Sequence, residues 1–447
     1  MSDSATGVAT GVFAPGHLGE LTQVIPFEMV DAALDTTGAT QRRLRRLPSR
    51  VVVYLLVAGA LFAEQGWRQV WARLTANLAT PVPRPAGSSL VQAMRRVGPA
   101  PLRELFTLLA GPGLTPARFA GRLVVAIDGT QIPIPDTPAN RRVFPKPRGG
   151  PNGQAGYPMI RLVALVATGT RCLIEAVFGP DTIGELAYAD RLAAALRPGM
   201  ILLGDRNFAA SGWFTQVAGA GADFLIRLKT GTTAAKLPVL ARLPDHSWLS
   251  IAGGVKLRIV EAVLTVTTSV ETHTVYYRLA TTIIDPRQAS PEQLLRLYHQ
   301  RWEIETAYLE LKSTMLTGRV LRGKYPYAIE QETWALLCAH QGLRTAISDA
   351  MLGVDTAPDR ASFTIALNTA RDQIIQAENV IAAQTVSLLG RIGAAVIDDL
   401  LPTRGLRTRP RVIKRALSKY HAKTLDTDRT TYPATLAVQI LTPRPDG

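Results

Sequence analysis

Residues 123–130 read Leu-Val-Val-Ala-Ile-Asp-Gly-Thr, a continuous apolar run that ends in a carboxylate and a glycine. A short apolar run of this kind, bounded by turn-forming residues, is typical of a buried strand. Residues 157–168 and 171–178 are also largely apolar and are joined by a Thr-Gly-Thr turn, which predicts two antiparallel strands. We therefore expect three successive strands, the first of which presents Asp128 at its carboxyl end.

Helices alternate with further apolar strands after these three. The pattern predicts a helix at 182–196 that opens with Thr-Ile-Gly-Glu, a strand at 200–205, a helix at 211–220, a strand at 223–229 and an antiparallel β insert at about 230–285. This order predicts an α/β fold with a mixed sheet and helices on its faces. In open α/β sheets, reacting groups gather outside the carboxyl ends of strands, and Asp128 and Asp205 are both expected there.

The segments on either side of this sheet are predicted to be helical. We expect four parts: a flexible arm at 1–25, a helical N-terminal domain at 26–117, the α/β domain at 118–345 and a helical C-terminal region at 346–447. The C-terminal region includes a tail at 404–423 with eight basic residues and no acidic ones. This basic tail either contacts a polyanion or is simply solvated.

The composition narrows the class of protein. The 447 residues are 47% hydrophobic and 19% charged, which excludes global disorder. Two cysteines, Cys172 and Cys338, exclude a disulfide scaffold and a Cys-rich zinc domain and suit a reducing cytosol. The longest apolar run, 51–63, is shorter than the roughly 20 residues that span a bilayer, so we expect no membrane partner. With 50 Lys and Arg against 35 Asp and Glu, the net charge of +15 favours a polyanion partner, although a basic surface kept for solubility is the alternative.

The most informative pattern lies on a helix predicted at 290–313, which begins with a Ser-Pro-Glu-Gln cap. At about 100° per residue, four side chains of this helix share an arc of about 60°. They are Tyr298, Arg301, Glu305 and Lys312. One helix face thus presents a phenol, two cations and a carboxylate. The simpler interpretation is an ordinary ion pair between Arg301 and Glu305 at i, i+4 spacing.

Three carboxylates, Asp128, Asp205 and Glu305, form a candidate hard-oxygen site. Mg²⁺ binds through few protein carboxylates and takes the rest of its ligands from water and substrate phosphates. Two such ions, about 3.5–4 Å apart, activate water and stabilise the leaving oxygen of a phosphodiester. We therefore predict two Mg²⁺ ions, with Mn²⁺ as a substitute. Taken singly, each strand-end Asp could instead begin a turn or cap a helix.

The chain resembles the DDE transposases of the insertion-sequence-four family. That family carries Tyr, two residues, Arg, three residues, Glu, six residues and Lys on its last catalytic helix, the spacing of the four side chains described above. Its first Asp lies in an Ile-Asp-Gly-Thr context, found here at 127–130, and its second in Gly-Asp-Arg-Asn-Phe, found here at 204–208. Similar segments at 42–48, 362–367 and 409–414 extend the resemblance over nearly the whole chain.

The resemblance implies a ribonuclease-H-like mixed sheet core with an antiparallel β insert before the catalytic Glu helix, plus helical N- and C-terminal domains, the former binding DNA. It implies a bacterial, cytoplasmic, nucleoid-associated transposase that acts as a homodimer on paired inverted repeats. The enzyme would cut transposon ends with two metal ions, through a hairpin intermediate, and transfer the strands into target DNA. By position, Tyr298, Arg301 and Lys312 would contact DNA near the cut.

Two further DNA contacts are predicted. In related enzymes a Trp of the β insert fills the gap left by a flipped base, and Trp248 is the candidate here, with a buried core Trp as the alternative. A basic run in a loop after the first strand would either grip DNA or be solvated. Its members are Arg141, Arg142, Lys146 and Arg148.

Two other functions compete with the transposase. One is a structure-specific nuclease or resolvase on the same core, which would cut DNA without joining strands. The other is a catalytically inactive DNA-binding regulator, which would show no divalent-dependent strand scission. No Gly-x-Gly-x-x-Gly follows the first strand, which excludes a Rossmann dehydrogenase.

Overall fold

The fold is described from a computed structural model. It covers residues 17–41, 43, 45–78, 82–147, 156–230, 236–356, 358–376, 390–402, 406–408 and 430–442. The chain divides into two compact units, of which the first comprises Met1–Ile201 with Gln300–Leu401 and the second Leu202–His299 with Pro402–Gly447. Within the described ranges, no helix has the length and apolar character needed to cross a membrane.

The first described elements of the first unit are the helices α1 (Leu21–Val24), α2 (Phe27–Thr36), α3 (Ser49–Leu61), α4 (Trp67–Leu74), α5 (Gly87–Val97) and α6 (Ala100–Leu109). The apolar run at 51–63 forms most of α3, which is buried on nearly every face. A helix with apolar residues all round belongs in a protein core. The chain turns at Gly66 before α4, where the Gly66 amide donates to Gln69 Oε1.

An antiparallel sheet forms the centre of the first unit. The strands of this sheet are β1 (Arg118–Phe119), β2 (Arg122–Pro133), β3 (Met159–Ala167) and β4 (Leu173–Pro180). Helix α7 (Pro138–Val143) lies between β2 and β3 in the chain, and helix α8 (Glu185–Leu192) follows β4. Strand β3 lies between β2 and β4 and is antiparallel to both, as the sequence predicts. The prediction that the first strand ends at Asp128 is wrong. Strand β2 continues to Pro133 because its later residues still pair with β3, and only its burial changes at Asp128.

The second unit contains the predicted β insert. Its elements begin with β5 (Met200–Gly204), α9 (Ser211–Gly219), β6 (Asp223–Arg227), β7 (Ala241–Arg242), β8 (Trp248–Ala252), β9 (Val255–Thr267) and β10 (Thr272–Thr281). The long strand β9 pairs antiparallel with β10 along one edge and with β8 along part of the other. Strand β10 in turn pairs antiparallel with β6, which joins the insert to the preceding strands of the unit.

The segment predicted as one helix at 290–313 is divided. Helix α10 (Pro291–His299) closes the β insert, and helix α11 (Trp302–Leu309) opens the next part of the first unit and continues into a π-helical turn, Glu310–Met315. The predicted cap at Ser290 is confirmed, since Ser290 N donates to Gln293 Oε1 and Gln293 N donates to Ser290 Oγ. Between α10 and α11, Glu303 N donates to Gln300 O, an i→i−3 bond that tightens the backbone.

The later described α-helices of the first unit are α12 (Pro326–Ala350), α13 (Phe363–Gln376) and α14 (Gly390–Asp398). The last described elements belong to the second unit and are β11 (Arg407–Thr408), β12 (Tyr432–Pro433) and β13 (Thr435–Ile440). Strand β13 pairs antiparallel with β9, so the C-terminal region is not entirely helical. Residues 409–429, most of the predicted basic tail, and residues 1–16 of the predicted arm lie outside the described residues.

Candidate active site

Asp128 lies in the middle of β2, where the fully buried half of the strand gives way to partly exposed residues. Its Oδ1 accepts a hydrogen bond from the Gly129 amide at 2.8 Å. Its Oδ2 lies 3.4 Å from Nη1 of Arg301, which comes from the start of the α11 segment. The carboxylate therefore faces the helix that carries Glu305.

Arg301 connects this carboxylate to Glu305. Its Nη2 donates to Glu305 Oε1 at 2.8 Å, while Nη1 faces Asp128. Only 12% of the Arg301 side chain is exposed, and the lower effective dielectric at such a position strengthens the attraction. The i, i+4 ion pair between Arg301 and Glu305 is therefore present. Arg301 also faces Asp128, so two carboxylates from distant parts of the chain converge on one cation.

Lys312 also reaches β2. It lies in the π-helical turn, and its Nζ donates to Thr130 Oγ1 at 3.0 Å. The prediction of one continuous helix face is wrong in its geometry, because the backbone tightens at Gln300 and widens again in the π-helical turn. Arg301 and Lys312 nevertheless contact residues 128–130 of the same strand, so tertiary contacts bring together what the helical projection only approximated.

Two side chains near Asp128 were missed from the sequence. The hydroxyl of Tyr308 donates to the backbone carbonyl of Asp128 at 2.6 Å and accepts from Ala164 N at 3.1 Å. Glu185 opens α8 with Gly184 as the cap residue, and its carboxylate accepts from Arg161 at 2.9 Å. The predicted capping box that opens the helix at Thr182 is wrong: the helix begins at Glu185, Gly184 is its cap residue without a side-chain cap bond, and the Glu185 carboxylate is engaged by Arg161 instead. Tyr308 follows Glu305 with no signal in its local pattern.

Asp205 and Tyr298 belong to the second unit. Asp205 directly follows β5, and its Oδ1 accepts from Asn207 N at 2.8 Å, which begins a 3₁₀ turn at Arg206–Phe208. Tyr298 is almost completely buried near the end of α10 and packs edge-on against Tyr277, with ring centroids 5.8 Å apart. The strand-end position of Asp205 agrees with the sequence, and its role as the third catalytic carboxylate stays a prediction.

A buried ionic network anchors the π-helical turn that carries Lys312. The carboxylate of Glu310 accepts from Arg344, whose Nε lies 2.9 Å from Oε2, and from His340 at 3.1 Å and Arg171 at 3.4 Å. Burial alone would raise the pKa of Glu310, but Arg344, His340 and Arg171 outweigh it and lower the pKa to about 2. Glu310 is therefore ionised at neutral pH and holds the turn against α12.

Comparison with known proteins identifies the family. The chain matches the model of the insertion element 4 transposase N-terminal region over residues 15–107 and that of the transposase DDE domain over residues 119–341. It is 28% identical over 414 residues to the transposase InsG for insertion sequence element IS4 of Escherichia coli (strain K12), which covers 88% of this chain and 91% of that protein. The chain belongs to the insertion-sequence-four family of DDE transposases.

Two further similarities accompany this assignment. The transposase is 29% identical over 188 residues to the putative transposase InsZ of Escherichia coli (strain K12), which covers 41% of this chain and 62% of that protein. Among solved structures it is similar to the piggyBac transposase in a synaptic complex with hairpin DNA, with 11% identity and a TM-score of 0.46 over 86% of this chain and 85% of that chain.

The family assignment confirms the main predictions made from the sequence. The transposase is an insertion-sequence enzyme that cleaves DNA and transfers strands, and its DDE domain depends on divalent metal. The predicted α/β fold class, with a β insert before the Glu helix and helices in the regions on both sides, is also confirmed. Within the described part of the chain, no group of three His, Cys, Asp or Glu side chains is close enough together to hold a metal ion.

Trp248, another residue predicted to contact DNA, is buried in the second unit. Trp248 is only 5% exposed and lies on β8 opposite Ile259 of β9. Its burial counts against the role of a wedge in DNA, because the indole would have to leave the core of the second unit.

The predicted basic loop is partly helical, since α7 contains Arg141 and Arg142. Asp136 accompanies this run: its carboxylate lies 3.5 Å from Arg141 Nε and 2.5 Å from Lys146 Nζ. Asp136 therefore offsets part of the positive charge that was expected to grip DNA. Arg148 lies outside the described residues.

Proposed function

We propose that the transposase cuts transposon ends with Asp128, Asp205 and Glu305 as the residues that hold two Mg²⁺ ions, with Mn²⁺ as a substitute. The observation that carries this proposal is the convergence of Asp128 and Glu305 on the guanidinium of Arg301. The two carboxylates are hard oxygen ligands of the kind that a divalent ion prefers, and with the single cation Arg301 between them they keep one net negative charge. Asp205, in its strand-end Gly-Asp-Arg-Asn-Phe context, is proposed as the third ligand.

Bound metal ions would lower the pKa of the attacking water and neutralise charge on the leaving oxygen. The cationic side chains of the site would bind the DNA phosphates. Arg301 presents a planar fork that matches a phosphate, and it can exchange its carboxylate partners for phosphate oxygens when the carboxylates have other ligands. Lys312, held by Thr130, supplies a point charge beside the same strand. Tyr298 is proposed to contact DNA near the cut, which requires its ring, 5% exposed and packed on Tyr277, to turn outward.

We further propose that the enzyme acts as a homodimer on paired inverted repeats in the bacterial cytoplasm, that it opens each end through a hairpin and that it joins the ends to target DNA. These finer points are supported by the family's four-residue signature, whose spacing the chain carries without departure at Tyr298, Arg301, Glu305 and Lys312. Denaturing gels of end-labelled substrate would reveal the hairpin as a product of twice the strand length. Light scattering of the protein with DNA ends should give two chains per paired complex.

A supercoiled plasmid that carries the element's ends tests the catalytic assignment. In Mg²⁺ we expect Glu305→Gln, Asp128→Asn and Asp205→Asn each to abolish cleavage while DNA binding persists. The matched control is Glu303→Gln on the same helix, because Glu303 pairs with Arg171 and not with Arg301. Cleavage by Glu305→Gln at the wild-type rate, with Glu303→Gln also active, would refute the proposal.

A further inference from the structure

Tyr308 makes an unusual contact with the sheet. It lies on α11, three residues after Glu305, and its hydroxyl reaches the backbones of two adjacent strands. The hydroxyl donates to Asp128 O at 2.6 Å and accepts from Ala164 N at 3.1 Å. Asp128 of β2 and Ala164 of β3 are directly opposite each other in the antiparallel register. The phenol therefore bridges a carbonyl and an amide that face each other across the two strands.

This bridge is buried and uncharged. Tyr308 is 5% exposed, and burial together with the neighbouring Asp128 carboxylate raises the pKa of its hydroxyl far above the usual value. The hydroxyl thus keeps its proton, which is directed to the Asp128 carbonyl while a lone pair receives the Ala164 amide. Two hydrogen bonds at a buried position, one to each strand, therefore hold the hydroxyl in place.

The Tyr308 bridge bears on the distance between the carboxylates of Asp128 and Glu305. Arg301 connects the side chains of Asp128 and Glu305 through charge, and this link can open when other cations or phosphates arrive. Tyr308 instead connects the backbone of Asp128 to the helix that carries Glu305. We infer that Tyr308 is a positioning residue, whose hydroxyl fixes the Asp128 carboxylate relative to Glu305 for metal binding. This inference rests on the proposed function of Asp128 and Glu305.

A matched pair of variants separates positioning from ordinary stabilisation. Tyr308→Phe removes the bridging hydroxyl and keeps the ring. Tyr54→Phe removes another buried hydroxyl, one that donates to Ile25 O at 2.8 Å among the N-terminal helices, away from the carboxylates. Both variants should lower the melting temperature to a similar degree. Only Tyr308→Phe should alter the response to metal.

The experiment uses the full chain and two readouts. Mn²⁺ binding is measured by titration calorimetry without turnover, and the Mg²⁺ concentration for half-maximal plasmid cleavage is measured separately. Removing a residue that orients a metal ligand typically costs roughly 10–100-fold in affinity or activity, and we expect Tyr308→Phe to weaken Mn²⁺ binding within that range. Tyr54→Phe should match wild type in both readouts. Mn²⁺ affinity unchanged in Tyr308→Phe, or weakened equally in both variants, overturns the inference.

A second variant guards against a failure to fold. Para-aminophenylalanine at position 308 keeps a donor for the Asp128 carbonyl but accepts poorly from the Ala164 amide, so the sheet should form with the bridge weakened. We expect its Mn²⁺ affinity to fall several-fold, and wild-type affinity in this variant overturns the inference even if Tyr308→Phe does not fold. The proposed function fails separately, since full cleavage by Glu305→Gln would refute it whatever Tyr308→Phe does.

Discussion

Replacing Glu310 with Gln should destabilise the first unit strongly. The carboxylate is ionised and buried among Arg344, His340 and Arg171, and the Arg344 side chain is only 1% exposed. A Gln at this position would leave the guanidinium of Arg344 without its counter-charge in the interior. Breaking a buried ion pair on one side costs about 3–5 kcal/mol.

The pKa of Glu310 gives an independent magnitude. The pKa lies at about 2 in the folded chain against an ordinary 4.5, and this difference corresponds to about 3 kcal/mol of stability at neutral pH. Because the folded pKa is depressed, this contribution is complete above pH 4.5 and is lost as the pH falls toward 2. By pH 3, about 2 kcal/mol of it should be gone. The free energies of unfolding of Glu310→Gln and wild type should therefore converge as the pH falls.

Urea unfolding at pH 7 and at stepwise lower pH measures this effect. The control is Glu303→Gln, which also removes a carboxylate partner of Arg171 but from a more exposed position, so we expect it to cost about 1 kcal/mol. Glu310→Gln should also slow DNA cleavage, because the π-helical turn that it anchors carries Lys312. A loss below 1 kcal/mol at pH 7, or a loss independent of pH, would show that the network does not stabilise the fold as its contacts indicate.

Three further predictions concern the site and the DNA. A Cβ at position 129 would lie 2.6 Å from Glu185 Oε1, so Gly129→Ala should displace that carboxylate from Arg161, cost about 1–3 kcal/mol and slow cleavage, as thermal melts and plasmid assays would report. Arg301→Lys keeps the charge but loses the planar guanidinium group that holds both carboxylates, so we expect the cleavage rate to fall at least tenfold in single-turnover assays. An unchanged rate would contradict this reasoning. DNA affinity should fall steeply between 50 and 200 mM salt in filter binding, because phosphate contacts dominate.

Local sequence patterns predicted much of this fold correctly. The apolar run before Asp128, the alternation of residues in the β insert and the cap at Ser290 each encode their element through contacts between near neighbours in the chain. The spacing of Tyr298, Arg301, Glu305 and Lys312 similarly indicated the family. Such signals depend only on residues a few positions apart, which is why they can be read directly.

Other features depend on residues far apart in sequence. Strand β2 extends past Asp128 because β3 continues to pair with it, and Trp248 is buried because β9 lies beside it. Strand β13 was missed because its pattern becomes a strand only against β9. The sharing of Arg301 by Asp128 and Glu305, and the hydroxyl of Tyr308 between β2 and β3, likewise arise only when α11 packs on the sheet. Spacing along the chain was enough to name the candidate site residues, whereas tertiary packing set their partners, because burial and hydrogen bonding depend on distance in space and not on separation in sequence.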